Sequence, residues 1–386
     1  MGIVGVFIAR YLALPLPFIS STNNSTVFLP EAVTVEDNER QSPAITMEVV
    51  ASGLSVPWSI IFTDTDRMLV SERSGAIRII EKGVLIEKPL YLFDGVSSQS
   101  EEGLMGLAVD PAYSENTFIY ACYAYEQQGA LATRVVRLED KGMSAENEQV
   151  IIDKIPAAQY HAGCRLAFGP DGLLYITTGD ATDKTLAQDT QSLAGKILRI
   201  HSDGTIPQDN PFPQSPIYSL GHRNPQGIAW DMTSGILLST EHGPSVFDGP
   251  AGGDEINRII PGGNYGWPIV SHDKAKEGLI SPVIQFTPAL APASALVYSG
   301  DVFPAWQGDL FFGALKGEGV YRVVFTTDSF DTVEFVEKLP IEIGRVRDVV
   351  QGPDGAVYIS TSNTDGRGKV TPGDDQIYRL IPSLQK

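Results

Sequence analysis

Residues 166–179 read LAFGPDGLLYITTG, two apolar runs joined by a Pro-Asp-Gly turn. Pro-Asp-Gly is typical of tight turns, because proline presets one turn dihedral and glycine tolerates the positive φ that follows. The apolar and aromatic residues on both sides favour strands, so this stretch is predicted to be a β-hairpin. Related stretches occur at five other places: IIFTDTDRMLVSE, LAVDPAYSENTFIYACY, IAWDMTSGILLSTE, FPAWQGDLFFGAL and VVQGPDGAVYIST.

A second motif recurs between these hairpins, a short apolar strand with an arginine at its centre. Its six copies, AIRII, VVRLE, ILRIH, INRII, VYRVV and IYRLI, contain Arg78, Arg137, Arg199, Arg258, Arg322 and Arg379, which are 59, 62, 59, 64 and 57 residues apart. Each unit therefore offers three strands and room for a fourth, which is the content of one propeller blade. The sequence predicts an all-β, six-bladed β-propeller over residues 45–386. A β-sandwich, the alternative, does not by itself require six copies at one spacing.

The first 44 residues differ from the rest of the chain. GIVGVFIARYLALPLPFIS is apolar but contains Arg10 and two prolines, and a polar, turn-rich stretch follows it. We interpret residues 1–44 as an export signal or membrane anchor with a tether, against the alternative of a disordered tail or a misjudged start. An export signal predicts a protein that acts outside the cytoplasm, whether periplasmic, secreted or anchored at the cell surface.

The chain is strongly acidic. Its 386 residues include 47 Asp and Glu against 28 Lys and Arg, a formal net charge of −19. Such a field repels nucleic acids and anionic membranes, so neither is an expected partner, and an anionic ligand must bind a local cluster of cations. The two cysteines, Cys122 and Cys164, define no disulfide framework. We interpret them as buried small apolar residues, although spacing alone does not decide whether they pair.

Loops of a propeller meet at the two mouths of its channel, so residues far apart in sequence converge there. Four sets of loop residues are chemically unusual: His161 in YHAGCRLAFGPDG; Arg223 and Asn224 in SLGHRNPQGIAWD; Glu241, Asp254, Glu255 and Asn257 in STEHGPSVFDGPAGGDEINRI; and Lys316, Arg345 and Arg347 in FFGALKGEGV and IGRVRDVV. The third set offers the hard oxygen ligands that Ca²⁺ takes. The fourth predicts a site for a compact polyanion, because arginine suits carboxylate or phosphate.

Each of these loops also has a purely structural interpretation. A lone histidine at a strand start, such as His161, is more often a hydrogen-bonded structural residue than a catalyst. An isolated arginine such as Arg223 commonly pairs with a surface carboxylate. Acidic loops are frequent in a chain this negative, and the basic residues could be solvated strand edges. The four loops favour a functional interpretation only when they are taken together.

Nine motifs, in this order, closely resemble the soluble quinoprotein sugar dehydrogenases of the glucose/sorbosone dehydrogenase family: HAGCRLAFGPDG, AQDTQSLAGKILRI, DNPF, GHRNPQGIAWD, EHGP, GGDEIN, GGNYGWP, GALK and RVRD. The resemblance runs from Val56 to Leu380. It implies a six-bladed propeller that uses pyrroloquinoline quinone and Ca²⁺. It also implies an enzyme that oxidises the anomeric C1 hydroxyl of an aldose to a lactone and passes the electrons to an acceptor that the sequence does not identify.

The resemblance further implies roles for individual residues. His161 matches the general base, Asp180 the carboxylate beside it, and Arg223 the cation that stabilises the developing oxyanion. The implied cofactor contacts are Glu101, His161, Arg223, Asn224, Tyr265, Lys316, Arg345 and Arg347. The implied Ca²⁺ ligands are the backbone carbonyls of Gly243 and Pro244 for the Ca²⁺ of the cofactor, and Glu241 and Asn257 for a further Ca²⁺.

The chain departs from the family pattern at two places. EEGLMG puts Glu101 where well-known bacterial members have a glutamine, and SVFDGPA, residues 245–251, is an extra stretch between HGP and GGDEIN. Propellers of the hedgehog-interacting type resemble this family without being established enzymes, so the alternative function is a non-catalytic Ca²⁺-binding propeller. A Ca²⁺-dependent lactonase, a third hypothesis, would need a ring of carboxylates and amides, which the basic residues fit poorly.

Overall fold

The computed structural model describes residues 42–383, which form six antiparallel sheets, five of four strands and one of five. In chain order the strands are β1 (Ile45–Ala51), β2 (Pro57–Asp64), β3 (Arg67–Glu72), β4 (Ala76–Glu81), β5 (Val84–Leu85), β6 (Tyr91–Leu92), β7 (Leu104–Val109), β8 (Phe118–Gln127), β9 (Ala130–Asp140), β10 (Ala145–Pro156), β11 (Leu166–Phe168), β12 (Leu174–Thr178), β13 (Lys196–Ile200), β14 (Ile217–Leu220), β15 (Pro225–Trp230), β16 (Leu237–Glu241), β17 (Asp254–Ile259), β18 (Ile284–Phe286), β19 (Leu296–Val297), β20 (Leu310–Ala314), β21 (Gly319–Phe325), β22 (Val333–Lys338), β23 (Val346–Gln351), β24 (Val357–Thr361) and β25 (Ile377–Pro382). The described helices are short: α1 (Tyr113–Asn116) and the 3-10 helices Lys184–Gln188 and Pro304–Trp306.

Each sheet is one blade of a propeller. Blades one to five contain β2–β6, β7–β10, β11–β14, β15–β18 and β19–β22. The first strands β2, β7, β11, β15, β19 and β23 contact one another in succession, and β23 contacts β2. The sixth blade adds β1 to β23–β25, with Ile45 opposite Pro382, so the two ends of the chain close the ring. The predicted six-bladed propeller is confirmed.

The core lies between the blades. Six clusters of buried apolar side chains occur, and each of them joins two neighbouring blades of the ring. Strands such as β13, β16, β20 and β21 are therefore buried along their whole length. A strand that packs on both faces needs apolar residues at successive positions, which explains the continuous apolar runs of the repeated hairpins.

The six arginines of the second motif lie on the third strand of each blade. In three blades this arginine forms an ion pair with the aspartate of the hairpin turn beside it: Arg199–Asp171 at 3.0 Å, Arg322–Asp309 at 2.7 Å and Arg379–Asp354 at 2.7 Å. In these three blades the strand arginine and the turn aspartate therefore stabilise each other. The motif marks the blades and contributes nothing to the channel.

The prediction for the fifth hairpin was wrong in its first half. FPAWQGDLFFGAL contains the 3-10 helix Pro304–Trp306, and the first strand of this blade, β19, lies earlier in the chain. Proline cannot donate a hydrogen bond to a strand ladder, so Pro304 disfavours a strand here. The Trp306 ring instead stacks on Phe303 at 3.9 Å and is fully buried.

Cys122 on β8 and Cys164 just before β11 form a disulfide, with their Cα atoms 6.3 Å apart. Both are buried, as the sequence predicted, and the structure answers the question of pairing that their spacing left open. The second and third blades are neighbours in the ring, and packing between them brings β8 beside the segment before β11. The disulfide links the second blade to the segment that carries His161.

Reduction of this disulfide is expected to destabilise the protein. The bridge closes a loop with a sequence separation of 42 residues, and the lost constraint on the unfolded chain is worth about 4 kcal/mol. Thermal unfolding with and without a reducing agent measures the effect. The double variant Cys122→Ser/Cys164→Ser is the control, because its midpoint should already be low and should not respond to reductant. An unchanged wild-type midpoint after complete reduction would contradict the expectation.

Within residues 42–383, no helix combines the length and apolar character needed to span a bilayer. Of the predicted signal or anchor with its tether, residues 1–44, residues 1–41 lie outside the described residues.

Candidate active site

A cavity of about 520 Å³ collects the ends of the inner strands. Its lining includes Glu101 before β7, His161 before β11, Arg223 before β15 and Arg345 before β23, and also Lys316 after β20. In an antiparallel blade the start of the first strand lies beside the end of the second strand. All six blades therefore deliver such residues to the same mouth of the channel.

The predicted site residues divide into two groups. The cavity is lined by Glu101, His161, Arg223, Gly243, Pro244, Lys316, Arg345 and Arg347. Asp180, Asn224, Glu241, Asn257 and Tyr265 are buried outside this lining. The Tyr265 hydroxyl donates to the carbonyl of Arg258 at 2.6 Å, and its ring stacks on His222 at 4.7 Å. Tyr265 thus supports the wall, and Asn224 accepts a hydrogen bond from Gln226 at 3.1 Å.

His161 and Asp180 form a buried pair at the two ends of the hairpin with which the sequence analysis began. His161 Nδ1 lies 2.8 Å from Asp180 Oδ1, and Asp180 Oδ2 accepts a hydrogen bond from Trp267 Nε1 at 2.8 Å. Because the carboxylate is an acceptor, Nδ1 carries the proton of the neutral ring, and Nε2 is left with a free lone pair. Such a ring is arranged to act as a base through Nε2.

Glycine makes the close approach of the two hairpin ends possible. A Cβ atom on Gly179 would lie 2.0 Å from the carbonyl oxygen of His161 and 2.9 Å from Asn224 Oδ1. The glycine in the ITTGD end of this hairpin is therefore required, since a side chain would push His161 away from Asp180.

Arg223 is held by four groups. Its Nε donates to Asp248 Oδ2 at 2.7 Å, Nη1 to the carbonyl of His242 at 3.3 Å, and Nη2 to Ser245 Oγ at 3.2 Å. Its peptide N–H donates to the buried carboxylate of Glu241. A guanidinium has five N–H groups, so one on each terminal nitrogen is left over. These two groups can serve a developing negative charge in the cavity.

The cavity is basic although the chain is acidic. Six cationic side chains line it, Arg73, Arg223, Lys316, Arg345, Arg347 and Arg367, against the carboxylates of Glu101, Asp254 and Asp365. Arg345 pairs with Asp365 at 2.6 Å. The side chains of Arg73 and Lys316 have no hydrogen bond or ion pair to any other residue in the described part of the chain. The excess of positive charge fits an anionic ligand.

Arg347 is one of the buried cations of this cluster. Its Nη1 donates to Gln226 Oε1 at 3.0 Å, whereas its buried Nε–H has no acceptor among the described residues. Burial lowers the pKa of Arg347 to about 9 although the charges of Asp365 and Glu101 raise it. A buried cation with an unpaired donor is costly unless an anion completes it.

Glu101, the first departure from the family pattern, is paired. Its carboxylate accepts a hydrogen bond from Arg367 Nη1 at 2.8 Å, and both residues line the cavity. The Arg367 guanidinium also lies 5.8 Å from the ring centroid of Tyr160. The acid that replaces an amide therefore does not leave a net negative charge at this edge.

One face of the fourth blade carries buried side-chain oxygens that lack hydrogen-bond partners among the described residues. Strand register places Ser239 opposite Asn257 and Glu241 opposite Glu255, and Glu255 opposite Gln285, so all five side chains belong to one face of the fourth blade. The side-chain oxygens of Ser239, Asn257 and Gln285 are buried without a hydrogen bond among the described residues. Burial and the charge of Glu241 raise the pKa of Glu255 to about 8. This oxygen-rich face fits a hard cation.

Two observations limit that fit. Glu241 already accepts a hydrogen bond from His222 Nδ1 at 2.8 Å besides the one from Arg223. In addition, no group of three or more His, Cys, Asp and Glu side chains in residues 42–383 has the arrangement of a metal site. A cation here would depend on amide, hydroxyl and backbone oxygens together with the carboxylates.

Several cavity residues were missed by the sequence analysis. Arg73 and His242 were missed, and each directly follows the second strand of its blade. The predicted residues Asp180 and Lys316 occupy similar places, two residues after the second strand of their blades. An alignment of the six hairpins by their ends would have found Arg73 and His242. Burial lowers the pKa of His242 to about 4, so its ring is neutral at pH 7. Arg367 and the residues of the extra stretch have no such signal, because their loops have no counterpart in other blades.

Comparisons with known proteins agree with this site. The model of the Glucose / Sorbosone dehydrogenase family matches residues 54–378. The aldose sugar dehydrogenase YliI of Escherichia coli K12 is 31% identical, with 91% of this chain and 99% of that protein covered. The quinoprotein glucose dehydrogenase B of Acinetobacter calcoaceticus is 25% identical, with 83% of this chain and 85% of that protein covered.

A solved structure extends the likeness to three dimensions. The PQQ-bound form of an aldose sugar dehydrogenase from Streptomyces coelicolor superposes with a TM-score of 0.77 at 34% identity, over 88% of this chain and 99% of that one. The residues matched by the family model, 54–378, include every residue that lines the cavity. The chain therefore belongs to the glucose/sorbosone dehydrogenase family of sugar dehydrogenases.

Proposed function

We propose that the protein is a pyrroloquinoline-quinone-dependent aldose dehydrogenase that oxidises the C1 hydroxyl of aldoses to lactones. The observation that carries the proposal is that one cavity is lined by a base, His161, together with Arg223 and a cluster of cations. Asp180 holds this base from behind the lining. Relatives named as aldose sugar dehydrogenases and a structural neighbour in its PQQ-bound form support it.

The cation cluster fits the quinone, which is a tricarboxylate. Arg345, Arg347 and Lys316 would hold its carboxylates, and the unpaired Nε–H of the buried Arg347 would gain an acceptor. When bound, pyrroloquinoline quinone supplies an electrophilic carbonyl that accepts a hydride. A protein with a net charge of −19 can bind such an anion only where cations outnumber carboxylates.

The residues of this chain would move the proton and stabilise charge. His161 Nε2 would take the proton of the C1 hydroxyl as the hydride leaves C1. Asp180 would stabilise the imidazolium that forms, since its carboxylate lies 2.8 Å from Nδ1. The two free N–H groups of Arg223 would stabilise the negative charge that develops on the accepting oxygen, at a position fixed by its other hydrogen bonds.

Calcium would bind at the part of the cavity wall that Gly243 and Pro244 form. The carbonyls of Gly243 and Pro244 would contribute to a Ca²⁺ that serves the cofactor, where it would act as a Lewis acid. Glu241 and Asn257 would contribute to a further Ca²⁺, and the unsatisfied Asn257 Oδ1 supports this assignment.

Reconstitution tests the proposed function. The purified chain, supplied with pyrroloquinoline quinone and Ca²⁺, is expected to reduce an artificial electron-accepting dye when aldoses are added, with a lactone as the product. A panel of aldoses, polyols and primary alcohols separates sugar oxidation from general alcohol oxidation. Tight quinone binding without dye reduction by any compound would overturn the proposal, and absence of quinone binding would favour the non-catalytic propeller.

Calcium is expected to stabilise the protein through Asn257. A ligand that binds only the folded state at 100 times its dissociation constant adds about 2.7 kcal/mol, so the unfolding midpoint should rise with Ca²⁺ and fall back with a chelator. Asn257→Leu, which keeps the volume and removes the oxygen, should lose most of this shift. Mg²⁺ is the matched control, because it prefers to keep its waters. An equal Ca²⁺ shift in wild type and Asn257→Leu would remove Asn257 from the site.

We also propose that the enzyme acts outside the cytoplasm and delivers its electrons to an acceptor there. The Cys122–Cys164 disulfide supports this, since disulfides persist mainly in oxidising compartments. Cell fractionation of the source organism tests it: the protein should be recovered from the periplasm, the medium or the outer face of a membrane, and recovery from the cytoplasm alone would contradict it.

A further inference from the structure

The extra stretch 245–251, SVFDGPA, forms a compact turn over the cavity between β16 and β17; we name it the capping loop. The amides of Asp248 and Gly249 donate to the carbonyl of Ser245 at 3.0 and 2.9 Å. The amide of Ser245 donates in return to Asp248 Oδ1 at 2.7 Å. Ser245, Val246 and Ala251 line the cavity. The loop is therefore ordered by its own hydrogen bonds and belongs to the wall of the site.

The capping loop is also fastened to Arg223. Asp248 uses Oδ1 within the loop and Oδ2 for the ion pair with Arg223 Nε at 2.7 Å, where the side chain of Asp248 is 12% exposed. Ser245 Oγ accepts a second hydrogen bond from the same guanidinium. A charge-assisted, largely buried contact of this kind fixes the loop relative to the reacting groups. The two residues between these anchors, Val246 and Phe247, therefore have a defined place.

Of these two residues, Phe247 carries an aromatic ring, and that ring is exposed. Phe247 is 68% exposed, although burial of a phenylalanine side chain is worth about 1.5–3 kcal/mol. Its ring lies almost parallel to the imidazole of His161, with an interplanar angle of 24° and 5.8 Å between the centroids. An exposed aromatic ring that is held beside a buried base is a surface for a ligand rather than a part of the core.

The chemistry of the ligand follows from the position. A pyranose has faces of C–H groups that pack on an aromatic ring, while its hydroxyl groups point outward toward polar partners. An aldose whose C1 hydroxyl reaches His161 Nε2 places the rest of its ring next to Phe247, because Phe247 contacts that same imidazole. Arg367 on the surrounding wall, whose Nη2 has no hydrogen bond within the described residues, would be a donor for the hydroxyl groups.

We propose that Phe247 is a specificity-determining residue, whose exposed ring is a stacking surface for the pyranose ring of the substrate. The inference rests on the proposed aldose oxidation and deepens it. It predicts preference for substrates with a six-membered ring over open-chain aldoses and polyols, because only the former present an extended C–H face. The general base itself does not depend on Phe247, since Asp180 orients it.

Kinetics of Phe247→Ala, Phe247→Leu and Phe247→Tyr test the proposal in the enzyme reconstituted with quinone and Ca²⁺. For a hexopyranose, Phe247→Ala should raise KM about five- to tenfold with little change in kcat, the size of a lost aromatic contact. Phe247→Tyr should restore the wild-type KM, and Phe247→Leu should lie between. For glyceraldehyde, which has no pyranose ring, no variant should change KM. Met232→Ala, which removes a side chain with 66% exposure from a turn outside the cavity lining, is the matched control.

Binding of a 1,5-anhydrohexitol, which keeps the ring and lacks the C1 hydroxyl, separates this inference from the proposed function. Calorimetry or ligand-observed NMR should show weaker binding to Phe247→Ala than to wild type even if no sugar is oxidised. An active wild type with unchanged KM and unchanged anhydrohexitol binding in Phe247→Ala would overturn the role of Phe247 alone. A loss of kcat common to hexopyranose and glyceraldehyde would also overturn it, since Phe247 would then only support His161.

Discussion

Replacement of His161 by asparagine is expected to lower kcat for aldose oxidation about 10³- to 10⁴-fold, at the upper end of what general base catalysis contributes. His161 is the histidine that both lines the cavity and is held by a buried carboxylate, 2.8 Å from Asp180. Asparagine is smaller and its NH₂ group can still donate to Asp180, which also keeps its hydrogen bonds from Thr182 and Trp267. Quinone binding should therefore be retained. Single-turnover reduction of the bound quinone by substrate, followed by its absorbance, measures the step directly.

Asp180→Asn gives an independent check with a defined reason. The carboxylate accepts hydrogen bonds on both oxygens, from Trp267 Nε1 and from the amide of Thr182 together with His161 Nδ1. An amide has only one acceptor oxygen, so its NH₂ must face Trp267 or His161. If it faces His161, the ring proton moves to Nε2 and the base is lost. Asp180→Asn is therefore expected to lower kcat by at least about 10²-fold.

The second substitution Trp267→Phe removes the competing donor and sharpens this test. In Asp180→Asn/Trp267→Phe the amide can turn its oxygen toward His161, so part of the lost kcat should return. Trp267→Phe alone is the control for the lost indole.

Activity above one-tenth of wild type in His161→Asn, in a variant with normal unfolding, would show that another group takes the proton.

Arg347→Met is expected to weaken quinone binding by at least about 30-fold, because loss of one partner of a buried charge pair costs about 2–5 kcal/mol. Methionine approximates the arginine stem without its charge. In the quinone-free protein the variant should be as stable as wild type or more stable, since Arg347 is a buried cation without an ion pair and with one unpaired N–H among residues 42–383. Stability and affinity should therefore change in opposite directions.

Quinone titrations followed by tryptophan fluorescence, together with thermal unfolding without quinone, measure both quantities. Arg199→Met is the matched control. Arg199 is also a strand arginine, on the third strand of its blade, but it forms ion pairs with Asp171 and Asp209. It should lower stability and leave quinone affinity unchanged. Raised salt should weaken binding to wild type more than to Arg347→Met, because one charge contact is absent there. An unchanged dissociation constant in Arg347→Met would place the quinone away from this cation cluster.

The fold was predictable because its information is local and repeated. Hairpin turns such as Gly169–Asp171 and the arginines that pair with them recur at one spacing, and each copy reports the same blade. The prediction of a strand at Pro304 was wrong because the apolar residues there form a 3-10 helix that packs between two blades. Apolar composition alone does not separate these two uses.

The candidate site was predictable only in part. His161, Arg223, Lys316 and the Arg345–Arg347 pair occur in stretches with unusual composition, and all of them line the cavity. Their partners were not predictable, because the contacts join different loops. Phe247 and Asp248 lie in the extra stretch 245–251 and Arg367 in a polar loop, and the sequence does not indicate which residues they contact.

Local sequence was enough to predict the all-β class, the number of blades and the set of polar loops, since periodicity and turn chemistry depend on neighbouring residues. The tertiary structure alone decided the Cys122–Cys164 bond, the closure of the ring by β1, the pairing of Glu101 with Arg367 and the place of Phe247 over His161. The physical reason is that these contacts depend on where separate blades bring their loop ends. That position is a property of the closed ring and of loop conformation, which no local pattern encodes.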